Sequence, residues 1–176
     1  MAGRDATHPD DGDRDPSLAW LGAAGGSPRT LAEIWATVEL ERAMVDLGHS
    51  EPGRNEPWSG LDGDIIEDPL LGARVAVVAT GDGADRIAVA EPSTEGRLAA
   101  TLARHGEGPA GRYVESPVGL RELRVLAAAA GITLSRAENG PFGPSVLVAA
   151  AVAGPHVILV DPGQARADRA AVPSPP

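Results

Sequence analysis

Four histidines, His8, His49, His105 and His156, are the side chains best suited to move a proton or hold a metal near neutral pH. None falls at a Ser/His/Asp spacing that suggests an activated nucleophile. The chain has no cysteine, which removes thiolate nucleophiles, thiolate metal sites and disulfides together. His105 ends a predicted helix, where the helix dipole favours a cation, so a structural role is preferred to a catalytic one. His156 opens a predicted strand and reads as structural, while His8 and His49 fall in predicted loops. Gly81-Asp82-Gly83 and Gly106-Glu107-Gly108 read as turns. Neither is followed by the lysine and helix of a phosphate-cradling loop.

The charge balance narrows the partners. Twenty-five acidic side chains stand against 15 basic ones, all arginine, for a net charge of −10. That field repels a phosphate backbone and excludes nucleic acid as an expected partner. The missing lysine, with abundant Ala, Gly and Pro, reads as coding bias from a GC-rich genome. No apolar run approaches the roughly 20 residues that span a bilayer. Val146 to Ala153 is the longest candidate, and Gly154-Pro155 ends it, so no membrane association is expected. The N-terminus has no basic stretch leading into an apolar one, which makes the cytoplasm the default location.

Any chemistry must be positioned by one domain of ordinary size, since 176 residues at 43% apolar content can bury a sizeable core. Residues 1–30 are rich in Asp, Gly, Pro and Arg and predict a disordered leader, with Leu18-Ala19-Trp20-Leu21 as an apolar island. That island either docks on the domain or binds a partner. Residues 163–176 read as a disordered tail. Between them, a strand over Ala32–Val38 leads into a helix with apolar residues at 40, 43, 44 and 47, stopped by Gly48. A polar loop over 49–68 follows. Strands around 74–78 and 86–90 flank the Gly81-Asp82-Gly83 hairpin signal. A helix over 93–105, capped by Ser93 or Thr94, links to a second half. That half has strands beginning at Gly111 and near 132–135, 145–150 and 156–161, and a helix over 119–130. Two βαβββ-like modules, about 31–92 and 109–162, make an α+β domain over 31–162.

Four stretches carry a resemblance. They are Ala36 to Ala43, Ile87 to Pro92, Leu98 to Gly108 and His156 to Asp161, within about residues 31–162. In these the chain resembles the vicinal-oxygen-chelate superfamily, nearest its methylmalonyl-CoA epimerases and glyoxalase-like proteins. The resemblance implies two βαβββ modules curved into a half-barrel cleft. It also implies one divalent metal held by His, Gln and Glu from four strands. Carried onto this chain, the ligand positions fall on Ala32, Ala88, Gly111 and, within one residue, Leu159. None supplies a donor, and neighbouring Ile87, Val89, Ala110, Ile158 and Val160 are equally inert; Glu33 and Arg112 are isolated exceptions. No metal and no other cofactor is therefore expected.

Alternation along strands puts positions two apart on one face. From those four anchors the expected cleft is lined by Ile34, Ala36, Arg86, Ala88, Ala90, Gly111, Val157 and Leu159. Tyr113 and Glu115 are the candidate acid/base pair, and Asp161 is a further polar group. Each has a plainer reading: Tyr113 as core, Glu115 and Arg86 as solvated, Asp161 as a turn opener before Pro162. Three functions compete. The first is a metal-independent protein handling an apolar small molecule, acyl-CoA or polyketide-like compound, as an isomerase or cyclase of secondary metabolism or as a drug-sequestering protein. The second is an epimerase-like metal enzyme with displaced ligands. The third is an interaction module without a ligand, using Trp20 and acidic loops. A homodimer is compatible with each. An open or a filled half-barrel separates the first from the third.

Overall fold

The computed structural model describes residues 16–49, 64–80, 85–149 and 154–163. The expected tail beyond 163, most of the 49–68 loop, His8 and the Gly81-Asp82-Gly83 turn lie outside these residues. Strands are β1 (Arg29–Ala36), β2 (Ile66–Asp68), β3 (Ala73–Thr80), β4 (Asp85–Pro92), β5 (Gly108–Glu115), β6 (Glu138–Gly140), β7 (Gly143–Leu147) and β8 (His156–Val160). Helices are α1 (Leu40–His49), α2 (Arg97–His105) and α3 (Leu120–Ala129), preceded by a 3-10 helix over Pro16–Ala24.

All eight strands form one sheet in the order β2-β3-β4-β1-β5-β8-β7-β6. Each module brings its first and last strands together in parallel, β1 with β4 and β5 with β8. The long crossover that parallel pairing requires is supplied within each module by α1 or α3 and the strands that follow. The modules join through antiparallel β1 and β5. This is the α+β, two-module architecture expected from the sequence.

Boundaries differ in instructive ways. Helix α2 begins at Arg97 behind Gly96, with no side-chain cap, so Ser93 and Thr94 lie in the connection before it. Helix α1 continues through Gly48 to His49. The strand expected near 132–135 is a single bridge, Leu134 to Val148. Within the expected leader, Pro16–Ala24 form the 3-10 helix, which docks on module 2. Leu18 and Leu21 are buried there with Val114, Leu123, Val146 and Leu159. The apolar island thus covers sheet surface that would otherwise face water.

On the opposite, inner face a single core gathers Ala32, Ile34 and Ala36 of β1, Ala88 and Ala90 of β4, Tyr113 of β5 and Ile158 and Val160 of β8. The Gly106-Glu107-Gly108 turn also locks the linker to module 1. The Glu107 carboxylate accepts bonds from Thr37 Oγ1 at 2.7 Å, the Val38 amide at 2.9 Å and Arg42 Nη2 at 2.9 Å. Those bonds, the Val38 amide first, hold its carboxyl below the usual carboxylate range.

Candidate functional site inside the barrel

The inner face of the sheet is where a cleft would lie. Ile34 and Ala88 are register partners, as are Ala36 and Ala90, so these four side chains share that face. All are buried. Tyr113, opposite Ala32, is fully buried at 0% exposure. Its ring meets Phe142 at 5.1 Å between centroids, tilted by 57°. Leu31, Leu70, Leu71, Leu98 and Leu147 complete the packing around them.

Two short edge strands that periodicity did not reveal, β2 and β6, bring Asp68 against Gly140. A Cβ built on Gly140 would stand 3.3 Å from the Asp68 carboxylate. Asp68 is the polar centre of the interior. Its Oδ2 accepts the Tyr113 hydroxyl at 2.5 Å, and its Oδ1 accepts the Leu70 amide at 2.8 Å. Burial raises the Asp68 pKa, partly offset by these bonds. Tyr113 is pushed up by burial first and by Asp68 second. Tyr113 is therefore a neutral donor to the carboxylate, tying module 2 to module 1. The turn at Asp68-Pro69-Leu70 carried a local signal, since Asp bonding the amide two residues on is an Asx turn. Its pairing with Tyr113, 45 residues away, had none.

The expected site residues are only partly brought together. Ile34, Ala88, Ala90 and Tyr113 share the inner face. Arg86 is exposed on β4. Glu115, at the end of β5, is ion-paired to Arg29 at 3.4 Å. Val157 and Leu159 lie on the outer face, packed with the 3-10 helix and α3. The reason is register: Gly111, Tyr113 and Glu115 pair with His156, Ile158 and Val160, so the inner face of β8 has the opposite parity to that expected. Gly111 does not line a cleft either. A Cβ there would lie 2.0 Å from the His156 carbonyl oxygen, and its φ is +152°. Asp161 caps α3 from outside, its Oδ2 accepting the Leu120 amide at 3.1 Å.

His156, expected to lie off the cleft, is on the inner-face parity and is buried. Its Nε2 lies 2.9 Å from Thr101 Oγ1 of α2. Burial first, then the charge of Arg97, lowers its pKa. His105 is exposed at the end of α2, and His49 is the last residue of α1.

The metal that the sequence resemblance implies does not fit the residues present. With parity corrected, its four positions hold Ala32, Ala88, Gly111 and Ile158 or Val160, none with a donor atom. Among the described residues no group of three or more His, Cys, Asp and Glu side chains could hold a metal.

No family model matches this chain, and no curated protein matches it. Solved structures do. The methylmalonyl-CoA epimerase of Mycobacterium tuberculosis superposes with a TM-score of 0.55 at 20% identity, covering 74% of this chain and 85% of that one. A hypothetical protein of Bacillus halodurans gives 0.53 at 17% identity, covering 76% and 94%. A variant of Streptomyces coelicolor methylmalonyl-CoA epimerase, in complex with 2-nitronate-propionyl-CoA, gives 0.52 at 17%, covering 85% and 100%. The chain therefore has the vicinal-oxygen-chelate fold. No described helix is long and apolar enough to cross a membrane.

Proposed function

We propose that this chain is a metal-independent protein of the vicinal-oxygen-chelate fold whose barrel interior is a packed core, and that it acts as an interaction module through its outer surface. One observation carries this reading. Most of the described face that would receive a ligand is buried, and Tyr113, Phe142 and Leu147 belong to one core cluster with the alanines of β1 and β4; Ala79 and Arg86, at the far end of β3 and β4, are exposed. A ligand site is a concavity that buries most of its guest. The membership of these side chains in a single buried cluster supports a packed interior over an open one.

The reading of a metal-independent isomerase or cyclase acting on an apolar molecule or acyl thioester rests on a different observation, the buried Tyr113–Asp68 pair. Two solved neighbours of the same fold, one bound to 2-nitronate-propionyl-CoA and one to methylmalonyl-CoA, support an acyl-CoA as the compound to try. In that reading β2 and β6 must part to admit the acyl group, and Tyr113 and Asp68 would orient it or move its proton. Glu115 would have to leave Arg29 to take part.

Titration calorimetry with propionyl-CoA, together with deuterium exchange of its α-protons followed by NMR, decides between the two. The packed-core reading expects no saturable heat up to about millimolar ligand, equivalent to binding weaker than about −4 kcal/mol. It also expects no exchange above buffer. One-to-one binding in the micromolar range, lost in Tyr113→Phe, would establish the ligand-handling reading instead.

A further inference from the structure

Helix α2 joins the modules and lies over the end of the barrel where β1 and β4 finish and β8 begins. It reaches the interior with Leu98, which is buried in the same core as Leu71, Ala110 and Tyr113. One turn further on, Thr101 meets His156, and both side chains are buried. Thr101 Oγ1 also donates to the Arg97 carbonyl at 3.1 Å, so Nε2–H of a neutral imidazole is the natural donor to Thr101.

We propose that Thr101 and His156 form an acid-sensitive latch that holds α2 over the end of the barrel and releases it when the His156 ring takes a second proton. Inside the joint, an imidazolium would be a desolvated cation beside the Arg97 charge, offset in part by the Arg97 backbone carbonyl. The charged group acting on the ring is Arg97, on α2 itself. Gly111 of β5 is the register partner of His156, and Gly154-Pro155 precedes it in the chain; none of these carries a charge. Arg112, the next residue of β5, is paired with Val157 and has the opposite parity. No described carboxylate acts on the ring to compensate a second positive charge.

Protonation is thus disfavoured while α2 is docked and recovers its ordinary range once α2 lifts. Linkage turns this difference into a force that opens the joint as pH falls below about 6.5, the ordinary histidine value. The joint is closed above that value and progressively opened below it. Release would uncover Leu98 and its seat, leaving the sheet intact.

Hydrogen exchange of the full chain at pH 7.5 and 5.5 tests the latch, with β1 amides as internal reference for the intrinsic pH dependence of exchange. The expected result is that α2 amides lose at least about tenfold more protection than β1 amides at pH 5.5, the equivalent of one pH unit of linkage. His156→Gln should abolish that difference. Arg97→Gln, which leaves the buried joint in place, should move its midpoint to lower pH by making the docked imidazolium less unfavourable. Loss of protection in α2 and β1 together would mean global unfolding and overturn the latch. An unchanged midpoint in Arg97→Gln, or an unchanged α2 response in His156→Gln, would overturn it as well.

Discussion

The two βαβββ modules share a topology and divide the work of filling the barrel unequally. Module 1 lines the interior with Ala32, Ala36, Ala73, Ala88 and Ala90 among the larger Leu31, Ile34, Leu70, Leu71 and Val75, all aliphatic. Module 2 adds Leu147, Ile158 and Val160 and both aromatic rings of the cluster, Tyr113 and Phe142. Interiors are close-packed, so two rings from one module are accommodated by alanines among the aliphatic side chains of the other. The outer faces differ too. Among the described residues, α1 contributes Leu40, Ala43 and Met44 to the cover of module 1, and Trp35 of β1 is 36% exposed. Over module 2, α3 and the 3-10 helix act together and bury Leu18, Leu21, Leu123, Val146 and Leu159. Among the described residues, the same chain path therefore carries one covering element on one half and two on the other. What becomes of a shared fold depends on which side chains occupy equivalent places.

The asymmetry can be broken most severely where the first and last strands of module 2 approach closest. Gly111→Ala places a methyl 2.0 Å from the His156 carbonyl oxygen, at a φ of +152° that side chains rarely adopt. The parallel pairing of β5 with β8 should suffer, at about 3 kcal/mol or more. Urea unfolding would show a large fall in midpoint. A loss below about 1 kcal/mol would mean that β8 can shift aside without cost.

Removing the second cover should cost somewhat less. Leu21→Ala takes a fully buried side chain from beneath the 3-10 helix and should destabilise by about 2–3 kcal/mol. Val38→Ser, on module 1 and 61% exposed, should change stability by less than about 0.5 kcal/mol. Equal effects would deny that the 3-10 helix belongs to the fold of module 2.

A smaller loss than at Leu21 is expected at the polar tie between the modules. Tyr113→Phe removes the donor to Asp68 Oδ2 and should cost about 1–2 kcal/mol. The pH dependence has a definite sign. Asp68 has a raised pKa in the folded protein, so the native state holds its proton more tightly than the unfolded chain. Its contribution is fully present below the ordinary value of 3.8 and is lost as pH rises through the folded value. The stability of Asp68→Asn relative to the parent should therefore rise over that window and then level off. Parallel stability curves in acid titration would contradict burial as the dominant influence on Asp68.

Much of this was legible in local residue patterns. The helix faces at 40, 43, 44 and 47 and at 120, 123 and 127 follow from 3.6-residue periodicity, and α1 and α3 form there. The alternation of β1 and β4 placed Ile34, Ala88 and Ala90 on one face correctly. That Ala32 and Ala88 carry no metal-donor side chain needed nothing beyond residue identity. The edge strands β2 and β6 escaped because three residues, Ile66-Glu67-Asp68 or Glu138-Asn139-Gly140, contain no usable period.

The amino-acid sequence by itself determined the two-module order, the helix faces and the absence of donor side chains at Ala32, Ala88 and Gly111. Tertiary structure decided the rest. Which face of β8 points inward is a matter of register with β5, and a slip of one residue exchanges Leu159 for Ile158 or Val160. That Phe142 and Leu147 share one buried cluster with alanines far away in the chain is likewise a matter of assembly. Tyr113 and Asp68, or Thr101 and His156, become partners only once strands and helix are assembled. Local propensity acts over a few residues, whereas burial and hydrogen-bond pairing are settled between segments that meet only in the folded molecule.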